Sequence, residues 1–215
     1  MKGVLFGTKH SYDDFGLVLS SKSIPLPSPK VIKVDVRGSD GSLDLSTVIT
    51  GGDVKYDNCT LEFVFTAIGD WEAAKHAFAA HLHGRRMNIV LDNDPTHYFV
   101  GRASIDSFKE NRATAEIVVT VDAEPWRYEA NETTVELEAT TTEKTVTLSN
   151  LRRWVVPTIT CSDEVTITYD GTVYQLQAGE SIIPAILLKE GNNTLKYKTA
   201  SGTATVTVKY RKAIL

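Results

Sequence analysis

Apolar and polar residues alternate with a two-residue period through most of this chain, and the pattern switches to a helical one only once. "KVIKVDVR" (Lys30–Arg37) sets Ile32, Val34 and Val36 against Lys33, Asp35 and Arg37. "CTLEFVFTA" (Cys59–Ala67) sets Leu61, Phe63 and Phe65 against Glu62, Val64 and Thr66. A period of two puts successive side chains on opposite faces, so both segments are predicted strands. Between them, "GSDGSLDLSTVITGGDVKYDN" (Gly38–Asn58) has turn signals at Asp40-Gly41 and Gly51-Gly52. It also carries Leu43, Leu45, Val48 and Ile49, more apolar residues than a solvated loop should hold. Such a segment either packs on its own domain or meets another subunit, and these four are the candidate interface residues.

"DWEAAKHAFAAHLHGRR" (Asp70–Arg86) is the helical stretch. Trp71, Ala74, Phe78 and Leu82 recur at three- and four-residue steps and form one apolar stripe. Asp70 is a fitting N-cap, Glu72 suits the positive end of the helix dipole, and Gly84 can end the helix in the left-handed conformation. The stretch holds His76, His81 and His83. Two histidines four apart would share a helix face. Here the separations are five and two, placing successive imidazoles about 140° and about 160° apart. They do not converge on a metal, and the reading is a packing helix.

After the helix the pattern predicts "MNIVLD" (Met87–Asp92), a turn over Asn93–Thr96, "HYFVGRASIDSF" (His97–Phe108), a turn over Lys109–Arg112, and "ATAEIVVTVDA" (Ala113–Ala123). In the last, Ala115, Ile117, Val119 and Val121 share a face. Asp92 and Asp94 lack the further oxygen ligands, glycine and closing glutamate of a calcium loop, so they belong to a hairpin turn with Pro95. Past "EPWRYEAN" (Glu124–Asn131) the chain becomes rich in threonine and valine. Short candidate strands follow at Thr133–Glu138, Lys144–Leu148, Thr158–Cys161, Glu164–Tyr169, Thr172–Leu176, Glu180–Ile183, Asn193–Thr199 and Thr203–Tyr210. Turn signals about every ten residues point to a β-sandwich. The expected organisation is mainly β: residues 1–128 as an antiparallel sandwich or barrel with one packing helix, and residues 129–215 as a second β-sandwich.

Composition narrows the function. A 215-residue chain of net charge −4 has room for a core and offers no basic nucleic-acid surface. No apolar run approaches the ~20 residues of a membrane span, and "MKGVLFGTKH" has no signal-peptide character. The sequons at Asn58, Asn131 and Asn192 are read as accidental. Cys59 and Cys161 are distant in sequence and belong to no metal-binding pattern. There is no GxSxG elbow, Walker loop or GxGxxG after a strand, so no enzyme, cofactor or metal is expected.

The first 128 residues resemble the siphophage distal tail protein family, Dit. The resemblance lies in an ordered set of segments: "FGTKHSYDDFGLVL", "GSDGSLDLS", "VKYDNCTLEFVF", the helix ending in "LHGRRMNIVLDND", then "HYFVGRASIDSF" and the exit "VDAEPWRY". Asn58-Cys59 stands where many members carry arginine. The resemblance implies a hexameric ring at the end of a long non-contractile tail, of a phage or prophage. It would join the tail tube protein to the tail tip or baseplate, leave a channel for DNA, and be built from the N-terminal domain. The product would be made in the bacterial cytoplasm and reside in the virion tail. The β-rich remainder fits the galectin-like sandwich that follows in this family, and "LLKEGNNTLKYKTASGTATVTVKYRKAIL" is similar to a closing hairpin of phage tail proteins.

Two functions therefore compete. One is a structural hub with itself and tail proteins as partners. The other is a carbohydrate-binding module for host-surface saccharide, with Trp154, Tyr169 and Tyr174 as candidate stacking rings. The plainer account of those three aromatics is core packing and strand pairing.

Overall fold

The computed structural model describes residues 3–68, 71–110 and 114–215. The chain divides between Arg127 and Tyr128 into two compact units, with Leu215 counted to the first.

The first unit runs β1 (Val4–Phe6), β2 (Lys9–His10), β3 (Val18–Ser23), β4 (Lys33–Asp35), β5 (Ser42–Asp44), β6 (Cys59–Ile68), α1 (Trp71–Leu82), β7 (Arg86–Leu91), β8 (Asp94–Glu110) and β9 (Thr114–Glu129). Its sheet has the order β2-β1-β7-β8-β9-β6-β3, while β4 and β5 pair only with each other. The alternation in β6 and β9 is what builds the core. Leu61, Phe63 and Phe65 register against Val121, Val119 and Ile117, and all six are fully buried. On the edge, β3 slips register between Leu19 and Ser21, a bulge that makes the free edge a poor template for further strands.

The helix closes this core. Phe78 and Leu82 are completely buried, and Trp71 and Ala74 pack more loosely against the same cluster. Phe78 is the centre of an aromatic cluster, with ring centroids 5.7 Å from Phe6, 5.7 Å from Phe65 and 5.1 Å from Phe15. Gly84 adopts φ +76° and ends the helix as expected, while the Arg102 guanidinium donates to its carbonyl. The proposed Asp70 cap lies outside the described residues.

Three expectations need correction. In "KVIKVDVR" only Lys33–Asp35 is strand, and Ile32, Val34 and Val36 are half exposed. The turn after β7 is Asp92-Asn93, not Asn93–Thr96, and Leu91 registers against Asp94. Pro95 is accommodated near the start of a strand, where a missing N–H matters least. Lys109 and Glu110, expected to begin a turn, still belong to β8; the rest of that turn lies outside the described residues.

One glycine is set by contact with its neighbour strand. A Cβ on Gly101, in "HYFVGR", would lie 2.7 Å from the Asp122 carbonyl oxygen and 2.9 Å from the Ala123 Cα. Neither backbone atom can swing aside as a side-chain tip could. Gly101→Ala is therefore expected to destabilise the first unit by about 1–3 kcal/mol, the usual cost of overpacking. A denaturant melt followed by the fluorescence of Trp71 and Trp126 measures it; an unchanged midpoint would mean β8 and β9 can separate freely.

The second unit contains β10 (Thr133–Thr140), β11 (Lys144–Asn150), β12 (Thr158–Cys161), β13 (Val165–Tyr169), β14 (Thr172–Leu176), β15 (Gly179–Ile182), β16 (Gly191–Thr199) and β17 (Thr203–Tyr210). They form two four-stranded antiparallel sheets, β10-β17-β12-β15 and β11-β16-β13-β14. Strict alternation supplies the inner faces. Asn193, Leu195, Tyr197 and Thr199 of β16, and Ala204, Val206, Val208 and Tyr210 of β17, are buried while their neighbours are not. Together with Ile159, Val165, Ile167 and Leu188 they make a sandwich core of its own. Cys59 and Cys161 are free, one in each unit, and burial raises both thiols above their ordinary range.

Candidate functional site

The excursion between β3 and β6 is an arm closed at its base. Lys30 N–H donates to Lys55 O at 2.8 Å, Asp57 N–H donates to Ser28 O at 2.9 Å, and Pro29 bridges Tyr56. Above that clasp, β4 and β5 form a two-stranded ribbon with Val34 opposite Leu43. Two further bonds lengthen it: Leu45 N–H to Ile32 O at 2.8 Å, and Ile32 N–H to Ser46 Oγ at 2.9 Å. Asp44 fixes the exit, accepting from the Ser46 amide at 2.9 Å and hydroxyl at 2.5 Å. Those bonds hold its carboxyl below the ordinary range, with Lys33 adding a small attraction. The chain then winds through a tight turn, Thr50 N–H to Thr47 O and Gly52 N–H to Thr47 O, that carries Val48 and Ile49 at its surface.

The arm is locally well bonded and poorly covered. Val34 and Leu43 are 45% and 54% exposed, and Val48 and Ile49 are 67% and 87% exposed. Val31, Ile32 and Val36 are about half exposed. Val34 sits across from Leu43 on the same side of the ribbon, and neither is covered. An isolated two-stranded ribbon is at best marginally stable in water, and one with a bare apolar face lacks the packing that would hold it. Of the four residues selected from sequence, Leu43, Val48 and Ile49 stand at the surface and Leu45 is half buried. Ile32, Val34 and Val36 join them, although their alternation pointed to a longer strand.

The histidines of α1 go to separate tasks. His81 Nε2 lies 2.7 Å from Phe6 O, His83 Nδ1 accepts from the Ile105 amide at 3.0 Å, and His76 is exposed. Asp92 and Asp94 also part company. Asp92 accepts from Gly3 N–H at 2.9 Å and contacts His10 Nε2 at 2.9 Å. Asp94 contacts His97 Nδ1 at 3.0 Å and accepts from Thr96 Oγ1 at 2.8 Å. Its carboxyl is held below the usual range chiefly by His97. Among the described residues no group of three or more His, Cys, Asp or Glu could hold a metal ion.

The three candidate saccharide aromatics differ in their burial and partners. Tyr169 is buried, its hydroxyl donates to Leu187 O at 2.6 Å, and burial pushes its ionisation upward. Tyr174 is half buried against the same core, opposite Ile167. Trp154 is half buried and has the Lys189 ammonium 5.4 Å from its ring centre.

No helix of the described chain is long and apolar enough to cross a membrane. No family model matches the sequence, and no curated protein matches it. Among solved structures, the chain is similar to the crystal structure of SPP1 Dit (gp 19.1), described as a paradigm of the hub adsorption apparatus in phages infecting Gram-positive bacteria. The TM-score is 0.71 at 15% identity, with 100% of both chains covered. At that identity the likeness is one of fold, and it runs through both units: the chain has the fold of a phage hub protein.

Proposed function

We propose that this chain is a structural hub of a long non-contractile phage or prophage tail. It forms a hexameric ring that joins the tail tube protein to the tail tip and leaves a channel for DNA. The observation that carries this reading is the fold match to a hub protein over the full length of both chains. A domain shared by chance would align one unit and leave the other uncovered. The arm supports the reading, because a closed ring of identical subunits needs a head-to-tail contact between two different patches. A bonded but uncovered apolar ribbon is suited to be one of them. The C-terminal sandwich would be the galectin-like domain that follows in such hub proteins.

Light scattering and negative-stain microscopy of the purified full-length chain test this directly. The expected particle has six times the 23.6 kDa chain mass and an open centre. A chain that stays monomeric at every concentration, and also when mixed with the tail tube protein from the same phage or prophage, would remove the hub reading.

A further inference from the structure

We propose that Asp40 is a site of spontaneous isoaspartate formation, a modification set up by the loop that closes the β4–β5 ribbon. Only two aspartates of the chain, Asp40 and Asp170, precede a glycine. The reaction needs the amide nitrogen of the following residue to reach the aspartate carboxyl carbon, and a glycine puts no Cβ in the way. Both sites lie in hairpin turns, but the turns are of opposite character, and that difference decides which of them reacts.

The Asp40 loop is open. It runs from Val36 to Gly41, between the registered partners Asp35 and Ser42. Ser39 donates to Val36 O from its amide at 3.2 Å and from its hydroxyl at 2.9 Å. Among the described residues, neither the Asp40 side chain nor the Gly41 amide makes a hydrogen bond. Both residues are exposed, and a Cβ on Gly41 would meet nothing within 4 Å. A carboxyl and an amide without partners or cover can rotate toward each other. The Asp170 turn is closed. Asp170 and Gly171 join the registered partners Tyr169 and Thr172, and take φ +48° and +77°, the left-handed pair of a tight two-residue hairpin turn. The ψ of that conformation, about +47°, points the Gly171 nitrogen away from the Asp170 Cβ. Turning it back would break the pairing of Tyr169 with Thr172.

The chemistry is a dehydration followed by a hydration. The Gly41 nitrogen attacks Asp40 Cγ and an N–C bond forms. The amide hydrogen and the carboxylic OH leave together as water, and the product is a five-membered succinimide. Water then adds to one of its two carbonyl carbons and a C–N bond breaks. Addition at Cγ restores aspartate. Addition at the former main-chain carbonyl carbon leaves the chain running through Cβ and Cγ, which is isoaspartate. Nothing is oxidised or reduced, and water is the only co-reactant. The main chain gains one atom, and the carboxylate is left on Cα. That atom enters the loop two residues from Leu43, whose partner across the ribbon is Val34. The modification therefore alters how the arm presents its uncovered apolar pair. The inference rests on the geometry of the two turns and stands apart from ring assembly.

Holding the folded full-length chain for weeks at physiological temperature in mildly acidic buffer tests this. The mass does not change, so the product is read by peptide mapping with a protease that cuts before aspartate and not before isoaspartate, and by methylation with an isoaspartyl methyltransferase. Isoaspartate is expected to accumulate at Asp40, and at least tenfold more slowly at Asp170. In guanidinium chloride, where neither turn exists, the two rates are expected to converge. Asp40→Ser removes the carboxyl and no hydrogen bond, so it should abolish the first signal and keep the wild-type melt. Rates within tenfold of each other in the folded chain, no reaction at Asp40, or a difference that persists in denaturant would each overturn the proposal.

Discussion

With Val48 and Ile49 both replaced by aspartate, the chain is expected to remain folded and to lose the proposed ring. These are the most exposed apolar residues of the arm, 67% and 87% open to solvent, so the free subunit has little packing to lose at either. Surface substitutions of this kind usually change stability by no more than about 0.5 kcal/mol. In an assembled ring the balance differs. Burying each side chain would contribute roughly 1.5–3 kcal/mol, and forcing an unpaired carboxylate into the contact would cost several kcal/mol more. The same contact would recur around the proposed ring, so the loss would be repeated at every junction. Leu45 is left unchanged because it is half buried and its amide bonds to Ile32 O. Light scattering and thermal unfolding on one sample separate the outcomes. A wild-type particle from the variant would take the arm out of the interface. A lost cooperative melt would mean that the arm is part of its own domain's core.

The sequence was most informative where burial follows periodicity alone. Leu61, Phe63 and Phe65 against Ile117, Val119 and Val121 needed only a period of two, and Phe78 and Leu82 only a helical one. The same rule misled at Ile32, Val34 and Val36. Alternation states that a strand has an apolar face, and is silent on whether its own domain or another chain covers that face. The clue available was context: these residues adjoin an excursion already too apolar for a loop. Tyr169 shows a different limit of the sequence. A tyrosine on a strand reads alike whether its hydroxyl meets water or, as here, a carbonyl eighteen residues away, because that contact depends on the return of the chain through Leu187.

Truncating Phe78 to alanine should produce the largest loss of stability in the N-terminal unit. Its ring is completely buried and meets Phe6, Phe15 and Phe65 in a cluster that joins the helix to the first strand and to β6. Removing it deletes the transfer energy of the side chain and leaves a cavity among rings too bulky to collapse into it, a combination that costs about 3–5 kcal/mol. His81→Ala on the same helix is the matched control. It removes a contact of 2.7 Å to the Phe6 carbonyl and a tilted ring contact with Phe15 at 5.9 Å but no fully buried ring, so about 1 kcal/mol is expected. The effect should also be local. None of the residues around Phe78 belongs to the core formed by Leu148, Ile159, Ile167, Leu195 and Val206 in the C-terminal sandwich. In a denaturant titration, Trp71 and Trp126 report on the first unit and Trp154 on the second. Phe78→Ala should move the first transition to much lower denaturant and leave the Trp154 transition in place. Equal shifts of both transitions would mean that the two units unfold as one, and no shift in either would mean that α1 does not hold the N-terminal core together.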